Sequence, residues 1–265
     1  MPMLEYHQTT RTLDRTHLAV QVRGSGPVLL LLPGQSNNHH WWDRVRADLD
    51  REHTTVTFDY RGTGGSDAGL PDAYSTALFA ADALTVMDSL SIDRFDVYGT
   101  SMGGRVAQWL AITAPRRVRH LVLGCTSPGG PSAVRHRDDV RRALVGPDAA
   151  QVLTDLMYSP GWQMANPGPY AVLGDPGMSR QARRGHLVAT DTHDTGTGLA
   201  DIVAPTLILH GSDDVLTPTI NAHLLTERIP NSRSHIFDGA RHAYFDECAD
   251  AATIRTLDFL DSPSA

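Results

Sequence analysis

Lysine is absent from this chain, so its 23 Lys-plus-Arg residues are all arginine. That excludes Schiff-base chemistry on a lysine, lysine-anchored pyridoxal phosphate and a nucleotide-binding Walker lysine. Cysteine is scarce. Cys125 and Cys248 stand far apart and form neither a disulfide framework nor a zinc-ligand pattern. Long apolar runs are missing as well. The longest, Val28 to Leu32, is too short for a membrane span and reads as a buried strand. No basic stretch concentrates positive charge, and the net charge is −7. Nucleic acid and an anionic membrane surface are therefore poor partners. Met1 to Gln8 is polar and has no apolar signal-peptide core, so a cytoplasmic protein is expected.

What is present is ordinary for a globular protein: 265 residues, 41% hydrophobic and 20% charged. This length suits one large domain, or one core carrying an insertion. Strand-like segments run Met3 to His7, His17 to Val22, Val28 to Leu32, Thr54 to Phe58, Phe95 to Tyr98, Val118 to Leu123, Thr206 to Leu209 and Ser234 to Phe237. Helical spacing marks Trp41 to Leu49, Ala77 to Leu90, Met102 to Ala114 and Ala249 to Leu260. Alternating strands and helices indicate an α/β fold, a mostly parallel eight-stranded sheet with helices on both faces. The alternation breaks between Thr126 and Ala204, where Pro/Gly punctuation surrounds helical pieces at Val140 to Leu144 and Ala150 to Met157. An uncovered loop of that length is improbable. The expected organisation is a core of residues 1–130 and 199–265, with residues 131–198 as a helical cap inserted after the sixth strand.

Gly99-Thr100-Ser101-Met102-Gly103 is a G-x-S-x-G between a strand and a helix, the context this motif needs. The glycines permit a sharp turn that presents the Ser101 hydroxyl at the carboxyl edge of the sheet. A serine nucleophile needs a base, and the base needs an orienting acid. Asp213-Asp214 follows the strand ending at Leu209, and His242 follows the strand ending at Phe237. The chain order Ser, Asp, His brings three loops to one sheet edge.

The chain resembles the α/β-hydrolase superfamily and, within it, is similar to the 3-oxoadipate enol-lactonases and related small bacterial esterases. The matching residues are Pro33-Gly34, Trp42-Asp43, Asp59-x-Arg61-Gly62-x-Gly64-x-Ser66-Asp67, Ser101-Met102-Gly103-Gly104, Pro205-Thr206-Leu207, Gly211-x-x-Asp214-x-x-x-Pro218 and His242. They cover almost the whole chain except the cap. The family spacing selects Asp214 over Asp213. The family's alternative acid position, after the sixth strand, holds Cys125, Thr126 and Ser127, none of them acidic. The resemblance supplies the backbone N–H of Gln35 as one oxyanion donor, and position after the nucleophile supplies that of Met102. It also implies a structural role for the Asp59/Arg61 loop.

The implied chemistry is hydrolysis of a carboxylic ester or lactone of a small molecule, with no cofactor or metal. A carbon–carbon bond hydrolase of a vinylogous diketone and a cofactor-free perhydrolase would use the same triad. A ligand-binding or non-hydrolytic biosynthetic protein on the same scaffold is the reading from another class. Trp41, and Trp162, Met164 and Tyr170 in the cap, are candidates to line the substrate pocket. Met157, Trp162, Met164 and Tyr170 could equally form the cap's own core. His39-His40 has no acidic partner at metal-ligand spacing and reads as a surface pair.

Overall fold

Segments rich in β-branched and apolar residues pair into one sheet in the computed structural model, which describes residues 4–262. Met3, expected in the first strand, lies outside the described residues, as do Met1 and Pro2. The strands are β1 (Leu4–Arg11), β2 (His17–Gly24), β3 (Val28–Leu32), β4 (Thr54–Phe58), β5 (Phe95–Thr100), β6 (Val118–Gly124), β7 (Thr206–Gly211) and β8 (Ser232–Phe237). Their spatial order is β1-β2-β4-β3-β5-β6-β7-β8. β1 and β2 form an antiparallel hairpin and β2 runs antiparallel to β4. From β4 onward every pair is parallel.

Helices cover both faces, as a buried parallel sheet requires. They are α1 (Arg46–Leu49), α2 (Thr76–Ser89), α3 (Met102–Thr113), α4 (Asp138–Ala143), α5 (Ala149–Met157), α6 (Pro160–Ala165), α7 (Arg180–Asp191), α8 (Ile220–Arg228), α9 (Tyr244–Glu247) and α10 (Ala249–Leu260). Side chains alternate across β3. Leu30 and Leu32 join the core under α2 and α3, while Leu29 and Leu31 join the core with Trp41, Trp42 and α10. Ser75 caps α2 by accepting from the N–H of Leu78, a common helix-start device. Among the described residues no helix is long and apolar enough to cross a membrane.

Two local expectations differ from the structure. Trp41 to Leu49 is not one helix: a 3₁₀ turn over His39–Trp42, capped by Asn38, gives way to the short α1. Helices α7 and α8 carried no visible signal. In α7 the buried face is Ala182, Gly185, His186 and Ala189, at helical spacing but of low hydropathy.

Helices α4 to α7 all lie between β6 and β7. This segment is tied to the rest of the chain by polar contacts. Tyr158 Oη donates to Asp246 Oδ2 at 2.6 Å, and the carboxylate of Asp175 accepts from the N–H of Gly64 at 2.5 Å.

The strand order reverses beside β3: β4 pairs with one edge of it and β5 with the other. Such a switch point opens a crevice outside the carboxyl ends of the two strands, where open α/β sheets place their ligands. The loops after β3 and β5 carry Gln35 and Ser101.

Candidate active site

Ser101 sits on a turn that only a particular sequence tolerates. Its φ of 54° and ψ of −120° are a strained backbone conformation for a residue with a side chain. The turn is held by a hydrogen bond from its N–H to the carbonyl of Gly124 at 2.8 Å and by Thr126 Oγ1 donating to its carbonyl at 2.8 Å. The flanking glycines are sterically required. A Cβ on Gly99 would lie 2.3 Å from the carbonyl oxygen of Gly103, and one on Gly103 would lie 2.0 Å from that of Leu32. The strand and the helix can therefore approach closely enough to lift Ser101 to the sheet edge. Helix α3 starts at the next residue and aims its N-terminal dipole at this point.

Asp214 is buried in the loop after β7, and every polar contact it makes is specific. Oδ1 accepts from the N–H groups of Leu216 and Thr217 at 2.9 and 2.8 Å. Oδ2 lies 2.8 Å from Nδ1 of His242 and 3.1 Å from Nε2 of His210. Burial pushes the carboxyl pKa up. The charge of His242 and the hydrogen bonds from His210 and His242 outweigh burial and hold it well below the usual carboxylate range. His210 Nε2 also donates to the carbonyl of Thr217 at 2.8 Å, which fixes the proton on that nitrogen. Asp213, by contrast, is exposed and its recorded side-chain contact is with the neighbouring Ser212.

His242 follows β8 on a loop docked against the end of α5, where the N–H of Ala243 donates to the carbonyl of Met157 at 2.9 Å. Ser101, His242, Gln35 and Trp41 line one cavity of about 710 Å³. Among the described residues no hydrogen bond joins the Ser101 hydroxyl to His242. Contacts of this kind often tighten only with a substrate in place.

The N–H groups of Gln35 and Met102 have no partner among the described residues. The Gln35 peptide is held by Asn37, whose Nδ2 donates to the Gln35 carbonyl at 2.8 Å. Asn37 was not anticipated; an asparagine two residues on is an ordinary side-chain-to-backbone turn signal. Trp41 packs its ring over Gly34 and donates from Nε1 to Thr100 Oγ1 at 2.8 Å, bracing the residue before Ser101.

Three of the expected pocket residues lie elsewhere. Trp162 stacks on Tyr158 with ring centroids 4.3 Å apart, and Arg44 sits over its other surroundings 4.9 Å from the ring centre. Tyr170 packs against the same Tyr158 and donates from Oη to the Asn166 carbonyl. Met164 is 87% exposed. The correction has a physical cause: α6 is a single short segment whose aromatic face closes on Tyr158 and Arg44, away from Ser101. The apolar walls of the cavity come instead from Leu144, Leu153, Met157, Val172, Leu173 and Leu216.

The remaining polar residues singled out by the sequence have structural partners. Arg61 donates from Nε and Nη2 to both oxygens of Asp82 at 2.7 Å, and His39 Nδ1 lies 2.8 Å from Asp59. Among the described residues no group of three or more His, Cys, Asp or Glu is placed to hold a metal ion.

Comparison with known proteins agrees with this arrangement. The α/β-hydrolase fold family matches residues 27–152. A candidate carbamate hydrolase, RutD of Pseudomonas savastanoi pv. phaseolicola, is 34% identical over 229 residues, which are 82% of this chain and 87% of that protein. A hydrolase of Pseudomonas aeruginosa superposes with a TM-score of 0.82 at 27% identity, covering 97% of this chain and 98% of its own. The enol-lactonase of Burkholderia xenovorans LB400 shares the fold, with a TM-score of 0.77 at 24% identity over 93% of this chain and 97% of that one. With this extent of identity and coverage, and with the strand order and turn geometry described above, the chain belongs to the α/β-hydrolase family.

Proposed function

We propose that this hydrolase cleaves a carboxylic ester or lactone of a small organic substrate through an acyl-enzyme on Ser101. The observation that carries the reading is the 2.8 Å contact between Asp214 and His242, buried beside the cavity that Ser101 also lines. Asp214 keeps the proton of His242 on Nδ1, which leaves Nε2 free to act as a base. Ser101 Oγ attacks the substrate carbonyl as its proton passes to His242. The tetrahedral oxyanion accepts hydrogen bonds from the N–H groups of Gln35 and Met102. Each such donor is typically worth about 10² to 10³ in rate. His242 then gives the proton to the departing alcohol oxygen, or to the enol oxygen of an opened lactone. Water attacks the acyl-enzyme, loses a proton to His242, and the acid leaves as Ser101 regains its hydrogen.

In this reading residues 131–198 act as the cap, and residues 1–130 and 199–265 as the catalytic core. The cap helices supply the apolar wall that sorts substrates. A carbamate is the second reading, favoured by the name of the relative from Pseudomonas savastanoi. Its carbonyl would be attacked in the same way, with an amine or alcohol leaving. A fluorophosphonate probe should label Ser101 once per chain, and Ser101→Ala should abolish turnover of 4-nitrophenyl esters. Labelling at another residue, or full turnover by the alanine variant, overturns the proposal. A panel of esters, lactones and carbamates decides between the two substrate classes.

A further inference from the structure

Three arginines of this chain have buried guanidinium nitrogens, and two of them have carboxylate partners. Arg61 is paired with Asp82 and Asp14, and Arg46 lies 3.8 Å from Asp50. Arg105 differs. Its Nη1 donates to the carbonyl of Thr190 at 2.5 Å and its Nη2 to Ser127 Oγ at 3.1 Å, both uncharged acceptors. Its Nε is fully buried and makes no hydrogen bond. A buried cation without a counter-ion is costly, and structures rarely keep one without use. Burial pulls its pKa down to about 10, as expected for a charge short of a partner.

Arg105 stands four residues after Ser101, one turn into α3, and lines the same cavity as Ser101 and His242. Two further hydrogen-bonding groups border it there. Thr190 Oγ1 is buried without a partner, and Ser127 Oγ, which accepts from Arg105, keeps its own hydrogen to donate. The cavity mouth has the same sign. Arg135, Arg141, Arg183 and Arg184 line it against only Asp138 and Asp191, in a chain whose net charge is −7. A positive lining raises the local concentration of anionic ligands.

We propose that Arg105 is a specificity-determining residue that receives a carboxylate of the substrate, so that the enzyme prefers esters or lactones of small dicarboxylic acids. Residues one helical turn apart place their Cβ atoms about 5–6 Å from each other. A succinyl or glutaryl chain spans that distance, putting its carboxylate on Arg105 while its other carbonyl meets Ser101. The guanidinium fork offers the carboxylate Nε, with Thr190 and Ser127 completing the donors. This inference rests on Ser101 being the nucleophile.

The test compares mono-4-nitrophenyl glutarate with 4-nitrophenyl valerate, acyl chains of equal length that differ in the terminal carboxylate. The ratio of their kcat/KM values is measured in wild type, Arg105→Gln and Arg105→Lys. The ratio should fall at least tenfold in Arg105→Gln, chiefly through KM, and less in Arg105→Lys, which keeps the charge but loses the fork. Free glutarate should inhibit valerate-ester turnover competitively in wild type, and glutaramide should not. An equal loss on both esters would mean that Arg105 only ties α7 to the core and would overturn the proposal. So would a wild-type enzyme indifferent to glutarate, a result available even if Arg105→Gln does not fold. Should Ser101→Ala retain turnover while glutarate still competes, the nucleophile assignment fails and the carboxylate site stands.

Discussion

Oδ2 of Asp214 receives two imidazoles, His242 Nδ1 at 2.8 Å and His210 Nε2 at 3.1 Å, while Oδ1 receives two backbone N–H groups. This division of labour makes the carboxylate hard to replace. In Asp214→Asn the amide oxygen would stay with the N–H groups of Leu216 and Thr217, and the NH₂ would face both imidazoles. His242 would then be driven to the tautomer that cannot take the Ser101 proton. We expect kcat to fall by about 10⁴. Asp213→Asn, at an exposed position, should change kcat less than about twofold. Steady-state kinetics on both variants check this, and equal losses would refute the assignment of Asp214.

Gly103→Ala tests the turn rather than the triad. The new Cβ would meet the backbone oxygen of Leu32 at 2.0 Å, and a carbonyl within β3 cannot swing aside as a flexible side chain would. Helix α3 must move, and Ser101 with it. We expect a loss of about 1–3 kcal/mol in stability, together with loss of labelling by a fluorophosphonate in the protein that remains folded. Wild-type labelling at wild-type melting temperature would show that the close approach is not required.

Trp162→Ala separates packing from substrate sorting. Stacking on Tyr158 and the cation–π contact with Arg44 together suggest a loss of about 1–2 kcal/mol. The ranking of substrates should stay the same. Leu173→Ala, at the cavity wall, should change that ranking. Thermal melting and a substrate panel on both variants decide the matter, and a changed ranking in Trp162→Ala would return it to the pocket.

The contrast between Trp162 and Ser101 shows where the sequence stops being informative. Val28–Leu32 and Ala249–Leu260 have the bounds read from hydropathy alone, because burial on a sheet face or a helix stripe leaves a periodic apolar trace. Ser101 was legible because its turn admits so few residues at Gly99 and Gly103. The cap was not. Helix α7 buries alanine, glycine and histidine, which carry little hydropathic signal, and α6 spans only 6 residues, too few to show which side faces inward. Arg105 went unnoticed for a related reason: among 23 basic residues, only the absence of a partner distinguishes it, and partners are a property of the fold.

Asp246 gives the fold a stability that depends on pH. The side chain is buried where the cap meets α9; Tyr158 Oη donates to its Oδ2, and its Oδ1 has no hydrogen-bond partner. Burial pushes its pKa from 3.8 up to about 6, with Glu247 adding to the rise and Tyr158 and Arg44 opposing it. A carboxyl with a raised folded-state pKa binds more protons folded than unfolded across that interval. Its contribution is therefore fully present below pH 3.8 and is lost as pH rises through about 6. Each pKa unit corresponds to about 1.4 kcal/mol, so this group removes about 1–3 kcal/mol between pH 4 and 7.5. Asp246→Asn keeps an acceptor for Tyr158 and does not titrate. The new amide has its own fixed cost, so the informative quantity is the difference in Tm between variant and wild type, followed against pH. That difference should move in favour of the variant by about 3–8 °C from pH 4 to 7.5, at about 2–4 °C per kcal/mol for a chain of this size. Other titrating groups, common to both proteins, cancel in the difference. A difference that stays flat across the interval would mean that Asp246 ionises in the folded protein as it does in water, and that the cap-to-core contact with Tyr158 carries no buried charge.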